Sequence, residues 1–165
     1  VRSYISYTLG NHVENLELQY TNNINGTGNA LNNTIVGNSG NNILDGGAGN
    51  DTYTANAGGD TLIFNLLSSV SSTGGNGVDM WTDFQVGTGV ADRIDIGALL
   101  VGYNSSENQI YIDQFISVEN SSGNTSLYVD RDGEGTQFND TLLLTLSNVN
   151  TNLNTLLSND QLILV

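Results

Sequence analysis

The amino-acid sequence predicts an all-β fold, a parallel β-roll with a cap at each end, and three observations carry the prediction. Rows of nine residues repeat in register between positions 28 and 63. Each row opens on a glycine- and asparagine-rich stretch and closes on a short β-forming run. Proline is absent, and the 20 glycines alternate with short apolar runs in a chain that is only 12% charged, which argues for tight turns between short strands and against disorder. Apolar residues make up 38% of 165 residues, enough to fill one core.

The rows are GNALNNTIV (28–36), GNSGNNILD (37–45), GGAGNDTYT (46–54) and ANAGGDTLI (55–63); a fifth, GGNGVDMWT (74–82), follows an insertion. Their sixth place holds Asn33, Asn42, Asp51, Asp60 and Asp79, and their eighth holds Ile35, Leu44, Tyr53, Leu62 and Trp81. Glycine enters positive φ without a Cβ penalty, so the first six residues can coil tightly and turn their carbonyls inward. The last three make one short strand, whose alternation sends the eighth place to the interior. With one turn and one strand per row, successive turns fall on opposite sides, and turns eighteen residues apart stack. Stacked strands lie about 4.8 Å apart. Two carbonyl-lined turns at that spacing enclose an oxygen-lined gap suited to Ca2+, which takes about six to eight oxygens at roughly 2.3–2.6 Å.

Parity fixes the stacks. Asn33's turn lies under Asp51's and Asn42's under Asp60's; the long turn 64–78 brings Asp79 onto Asp51's turn, and DFQVGTGVAD (83–92) brings Asp92 onto Asp60's. For the two rows with asparagine at the sixth place, Asn ladders in place of metal are the alternative reading.

Charge and composition exclude other functions. Seventeen acidic residues stand against three arginines and no lysine, a net charge of -14, so nucleic acid and anionic membranes are repelled and divalent cations are the natural counterions. Without cysteine there is no disulfide, thiol nucleophile or zinc-thiolate site. The only histidine, His12, sits in a turn-forming stretch and reads as solvated, so neither a Ser-His-Asp constellation nor a zinc site has candidates, and no enzyme is expected. The acids are committed to turns and not to a glycosidase-type cleft. Tyr53 and Trp81 could serve as sugar platforms, but their place in the rows makes them core. No apolar run has membrane-spanning length and no signal peptide opens the chain, so direct membrane insertion is not expected; VRSYISYTLG reads as mid-strand, and the chain as the tail of a larger polypeptide lying upstream.

The nonapeptide G-G-x-G-x-D-x-U-x is the signature of the RTX calcium-binding repeat, and the rows resemble it. The resemblance extends outward. Residues 5–53 look like the lead-in and first turns of an RTX roll; DMWTDFQVGTGVADRIDIGALLVGY (79–103), LYVDRDGEGTQFNDTLLLTL (127–146) and LNTLLSNDQLILV (153–165) are similar to the C-terminal target domain of type I secreted proteins, giant bacterial RTX adhesins above all. Asparagine replaces aspartate in two rows, Ala55 replaces glycine, and Leu31 stands where glycine is expected.

The family's ligand pattern joins places two, four and six of one turn to places one, three and six of the turn above. It implies Asn29, Leu31 and Asn33 with Gly46, Ala48 and Asp51; Asn38, Gly40 and Asn42 with Ala55, Ala57 and Asp60; Gly47, Gly49 and Asp51 with Gly74, Asn76 and Asp79; and Asn56, Gly58 and Asp60 with Asp83 and Asp92. The last two sites carry at least two carboxylates each and should fill first. In DRDGEG (130–135), Asp130 and Asp132, with Asp140, alternate like the start of an oxygen-ligand loop, and a plain turn with solvated acids explains them equally.

A solenoid exposes its core at both ends, so the flanks read as caps: 1–27 as N-terminal capping strands, 28–96 as the roll, and 97–165 as a mostly antiparallel β cap holding the secretion signal. Strands are expected over 3–9 and 13–20, then near 92–96, 109–118, 125–130 and 141–147, with SSGN as a hairpin turn, a helix over 152–158 and a final strand QLILV. Ile24 should sit in the first interior layer, two residues out of register.

The resemblance implies a protein secreted to the surroundings or surface of a Gram-negative bacterium, with an ABC transporter, its adaptor and an outer-membrane channel as partners. Two other readings stay open: a module that grips carbohydrate or a surface through calcium, with the insertion 64–73 as the candidate loop, and an accessory module of a secreted enzyme.

Overall fold

The computed structural model describes residues 1–66, 71, 73–100, 103, 109–133, 135 and 137–164. Its strands are β1 (Arg2–Ser3), β2 (Tyr7–Thr8), β3 (Asn15–Leu18), β4 (Gly26–Asn29), β5 (Thr34–Val36), β6 (Ile43–Gly47), β7 (Thr52–Thr54), β8 (Thr61–Ile63), β9 (Asp79–Trp81), β10 (Arg93–Asp95), β11 (Ile116–Ser121), β12 (Asn124–Val129), β13 (Thr141–Leu146) and β14 (Leu162–Ile163), with one α-helix, α1 (Leu153–Ser158). Up to β10 the odd-numbered strands form one parallel sheet and the even-numbered strands the other, so the chain changes sheet after every strand. This is the alternation expected of a roll built from one turn and one strand per row.

Register places the eighth residues on top of one another. Ile35 pairs with Tyr53 and Tyr53 with Trp81 in one sheet; Leu44 pairs with Leu62 and Leu62 with Ile94 in the other. All six are buried between the sheets. Each such side chain contributes roughly 1.5–3 kcal/mol of transfer free energy. Strand β4 is the exception, for Gly26 faces Leu44. A Cβ there would lie 3.0 Å from Leu16 Cδ2 and 3.3 Å from Ile35 Cγ2, so neighbours fill the space, and Ile24, two residues earlier, is the buried apolar residue of that layer.

The N-terminal segment differs from the expected pair of strands. Residues 3–9 do not form one strand: Ser3 Oγ–H donates to Ile5 O (2.7 Å) and bends the chain, so that β1 joins one sheet and β2 the other. A seven-residue strand would overrun rows of strands only two to five residues long. The second expected strand is present as β3, with Leu16 and Leu18 buried and Val13 packed beside them.

Downstream, β11 and β12 form a hairpin whose turn residues, Ser122 and Gly123, have φ of 54° and 83°, the positive pair a tight hairpin requires. The expected strand over 109–118 is instead a run of 3-10 turns over Gln109–Gln114 followed by β11. Ile112 and Phe115 are both buried, and a 3-10 turn puts residues three apart on one face, whereas a strand would send them to opposite faces. Strand β13 is antiparallel to β12 but parallel to β9, and β14 is parallel to β10, so each sheet of the roll is continued by C-terminal chain. Asn152 caps α1 by accepting Thr155 N–H on Oδ1 (2.9 Å), and Leu156 buries the helix against the core. Arg131, buried, donates to Leu99 O (3.2 Å) and Ser71 O (2.8 Å) and lies over the Phe138 ring, tying the insertion to the cap.

Candidate metal centre

The glycine-rich turns build two stacks of sixth-place residues, one on each side of the roll. On one side Asn33 N–H donates to Asp51 Oδ1 (2.7 Å) and Asp51 N–H to Asp79 Oδ1 (2.9 Å). On the other, Asn42 N–H donates to Asp60 Oδ1 (2.7 Å) and Asp60 N–H to Asp92 Oδ1 (3.1 Å). The partners are therefore those that parity pairs. All six residues are at most 3% exposed, so these carboxylates are drawn out of water and into the turns.

A second ladder runs beside the first in the opposite sense. At the fifth place Asn50 N–H donates to Asn32 Oδ1 (2.9 Å) and Val78 N–H to Asn50 Oδ1 (3.0 Å); across the roll Asn41 N–H donates to Asn23 Oδ1 (2.9 Å) and Gly59 N–H to Asn41 Oδ1 (3.0 Å). Ladders and acid stacks thus coexist: fifth-place asparagines satisfy the outer backbone, and the sixth places stay directed inward.

Hydrogen bonding leaves the acids unequally satisfied. Asp79 Oδ2 accepts the Tyr53 hydroxyl (3.1 Å) and Asp92 Oδ2 accepts Gln85 N–H (2.8 Å), whereas Asp51 Oδ2 and Asp60 Oδ2 are buried with no partner. Burial pushes the carboxyls up from 3.8, to about 6 for Asp51 and Asp92, about 7 for Asp60 and about 8 for Asp79. A buried, unpaired anion is costly, and a cation in the gap would offset it.

Main-chain oxygens also crowd the glycines of these turns. A Cβ on Gly37 would lie 2.5 Å from Ala55 O and 2.6 Å from Asn42 Oδ1, and one on Gly28 would meet Gly46 O and Asn33 Oδ1. Only glycine leaves that space to the oxygens. Gly47 lies against Asn29 O, which also accepts Ala48 N–H (3.0 Å); Gly49 lies against the Leu31 carbonyl, and Gly58 against Gly40 O. Ala57 is exposed at its turn. Asn56 has a φ of 70° and sends its amide to Gly37 O (2.8 Å). The donor set of buried carboxylates and carbonyls is hard and oxygen-only, the chemistry that fits calcium.

At three positions of the expected ligand pattern the structure shows further contacts. Gly74 lies against Leu66 O and Leu99, and the buried Asn76 uses its carboxamide to hold Leu66 N–H (3.2 Å), Leu66 O (3.2 Å) and Thr73 O (2.7 Å), so both serve the insertion. Gly77, with a φ of 88°, is the residue lying against Gly49 O; its fourth place in the row, shared with Gly49 and Gly58, is the signal that could have found it. Asp83 braces the neighbouring turn, accepting Ala55 N–H (2.9 Å), Asn56 N–H (2.7 Å) and Trp81 Nε1–H (3.0 Å). Gln161 is a further residue that no local pattern marks. Fully buried ahead of β14, it donates to Gln85 O (2.8 Å) and Asp92 O (2.9 Å) and accepts Gly87 N–H (3.0 Å), closing the last turn of one stack.

Among the described residues, the acids of the loop after β12 form no such stack. Asp130 accepts Asp132 N–H (3.3 Å), Asp132 accepts Gln137 N–H (3.0 Å) and Phe138 N–H (3.2 Å), and Asp140 accepts Ser117 Oγ–H (2.9 Å) on the exposed side of β11. Among the described residues no group of three or more His, Cys, Asp or Glu side chains could by itself hold a metal ion; in the roll the layers of Asp51, Asp60, Asp79 and Asp92 each bring one acid to the stack, and those of Asn33 and Asn42 bring none. His12 is exposed in a turn, and Tyr53 and Trp81 are core, the latter edge-on to Phe84 at 5.0 Å. Of the 64–73 insertion, residues 67–70 and 72 lie outside the described residues, as does Glu134 of the acidic loop.

Parallel strands one row apart, glycine turns, and two stacks of buried residues, Asn33, Asp51 and Asp79 on one side and Asn42, Asp60 and Asp92 on the other, define a repeat module with buried oxygen-bearing side chains. Residues 27–62 match the family model of the RTX calcium-binding nonapeptide repeat, in four copies. This segment therefore carries RTX repeats, which typically occur in secreted proteins, and the acid stacks continue past it to Asp79 and Asp92. No curated protein matches the chain. Among the described residues no helix is long and apolar enough to cross a membrane.

Proposed function

We propose that the chain is a calcium-dependent folding module at the C-terminal end of a large exported bacterial protein of the adhesin kind. The observation that carries the reading is the pair of buried, unpartnered carboxylate oxygens, Asp51 Oδ2 and Asp60 Oδ2, within stacks whose four acids are all desolvated. Calcium would be held by Asp51 with Asp79 and by Asp60 with Asp92, aided by carbonyls of the glycine turns, and supplies the positive charge those stacks lack. An ion that binds the folded chain and not the unfolded one stabilises it by RT ln(1 + [L]/Kd), about 2.7 kcal/mol per site at a hundredfold excess over Kd.

Where free calcium is scarce the acids repel one another and stay in water, so the chain remains unfolded and able to thread a channel. Outside the cell, calcium at about the millimolar level exceeds the dissociation constants of extracellular modules, and the roll forms. Folding after exit opposes return, which suits export by an ABC transporter, an adaptor and an outer-membrane channel, with the signal in the C-terminal cap. The test is far-UV circular dichroism in calcium and then in excess chelator. The β signal should be lost on chelation and return on re-addition; a folded spectrum indifferent to chelator overturns the proposal.

A further inference from the structure

Asparagine and aspartate turns present opposite chemistry to the turn beneath them. A carboxylate has only acceptors, and the lower-facing oxygens of Asp51 and Asp60 take the N–H groups of Asn33 and Asn42. A carboxamide has two N–H donors, and at Asn33 and Asn42 they point toward carbonyls. Asn42 Nδ2 donates to Ile24 O (2.7 Å) and Asn38 Oδ1 (2.9 Å), while Asn38 Nδ2 donates to Gln19 O (3.1 Å) and Asn22 O (3.0 Å). On the other side Asn29 Nδ2 donates to Gly10 O (2.9 Å) and Val13 O (2.7 Å), and Asn33 Nδ2 to Val13 O (3.4 Å) and Asn29 Oδ1 (3.3 Å).

In the second stack three main-chain oxygens thus face amide nitrogens and not a cation: those of Gln19 and Asn22 meet Asn38 Nδ2, and that of Ile24 meets Asn42 Nδ2, which is itself bonded to Asn38 Oδ1. Ile24 and Asn22 stand eighteen residues before Asn42 and Gly40, the spacing of every stacked turn in this part of the roll. A calcium at roughly 2.3–2.6 Å from these oxygens would occupy the space the carboxamides fill. The contrast with the next layer is at the sixth place. Asn56 keeps one amide contact, to Gly37 O, but beside it Asp60 brings a buried oxygen with no partner where Asn42 brings a donor.

We propose that Asn33 and Asn42, assisted by Asn29 and Asn38, are built-in stops for the metal columns. Their carboxamides stand in for the cation toward the N-terminal turns, so calcium enters the gaps bordered by Asp51, Asp60, Asp79 and Asp92 and not the gaps beneath Asn33 and Asn42. The first layers of the roll are then joined without metal, and every layer after them requires it. The inference rests on the calcium reading above.

The experiment counts calcium bound per folded chain, by equilibrium dialysis, for the wild type, Asn42→Asp and Asn33→Asp/Asn42→Asp. It also measures how the folding equilibrium of Asn42→Ala varies with calcium, since the slope of ln K against ln[Ca2+] gives the number of ions taken up on folding. Asn42→Asp should bind one ion more than the wild type and the double variant two more. Asn42→Ala should need more calcium to fold but keep the wild-type slope, because a metal-free joint has been lost and no site. An unchanged count in folded Asn42→Asp, or a slope lower by one in Asn42→Ala, overturns the inference and leaves the calcium reading standing. If Asn42→Asp does not fold, the Asn42→Ala slope decides. A wild type that binds no calcium overturns both.

Discussion

Replacing Asp60 by asparagine should change stability in opposite directions with and without metal. Asp60 Oδ1 accepts Asn42 N–H, a bond an asparagine oxygen can keep, while Oδ2 is buried with no partner. Burial raises the carboxyl from 3.8 to about 7, so at pH 8 the folded form carries a charge it would rather not hold. At about 1.36 kcal/mol per pH unit the rise corresponds to a ceiling of about 4 kcal/mol, and solvent screening in the turn reduces that to about 2 kcal/mol. In chelator at pH 8, Asp60→Asn should therefore fold more readily by about 2 kcal/mol, about thirtyfold in the equilibrium constant. In calcium the same change removes a carboxylate that the proposed function assigns to the ion, and the calcium midpoint should rise. Both arms are read by circular dichroism: folding driven by a protecting osmolyte in chelator, and a calcium titration without osmolyte. A variant less stable than the wild type in chelator as well as in calcium would refute the argument that this carboxylate, when charged, is a liability that the cation relieves.

Acid should replace calcium in part. The folded-state values of Asp51, Asp60, Asp79 and Asp92 are all raised above 3.8, so their contribution is fully present below that pH and is lost as pH climbs through about 6 to 8. In chelator, β signal should grow as pH falls from 8 toward 5, and a flat profile contradicts the burial of these acids. Gly37→Ala, whose Cβ would press on Ala55 O and Asn42 Oδ1, should cost about 1–3 kcal/mol in calcium-saturated thermal unfolding, whereas Gly10→Ala should change stability by less than about 0.5 kcal/mol because nothing lies within 4 Å. Equal effects of the two would remove the steric argument for the turns. Gln161→Ala strands the carbonyls of Gln85 and Asp92 and should cost about 1–3 kcal/mol by the same measurement; an unchanged melting temperature would mean that the last turn closes without it.

Sequence and structure agree where neighbours in space are neighbours in the repeat. The stacking of Asp51 under Asp79 and of Asp60 under Asp92, and the burial of Ile35, Leu44, Tyr53, Leu62 and Trp81, follow from counting places within rows. The site was less legible where a side chain had a choice of partner. Asn76 occupies a ligand place by count but spends its carboxamide on the insertion, and Asp83 spends its carboxylate on the turn of Ala55 and Asn56. Neither choice leaves a trace in spacing, because it depends on which backbone groups the insertion and the following loop leave unpaired.

The sequence by itself determined the roll, its parity and the faces of its strands, since a nine-residue period repeats one local geometry and each layer is templated by the one before it. Only the tertiary structure decided how the ends close: β14 enters beside β10 with Leu162 against Ile94, and β13 beside β9 with Leu146 against Trp81. Those contacts join residues more than sixty positions apart, outside any repeat. They were settled by which sheet edges remained open and which apolar faces still had to leave water.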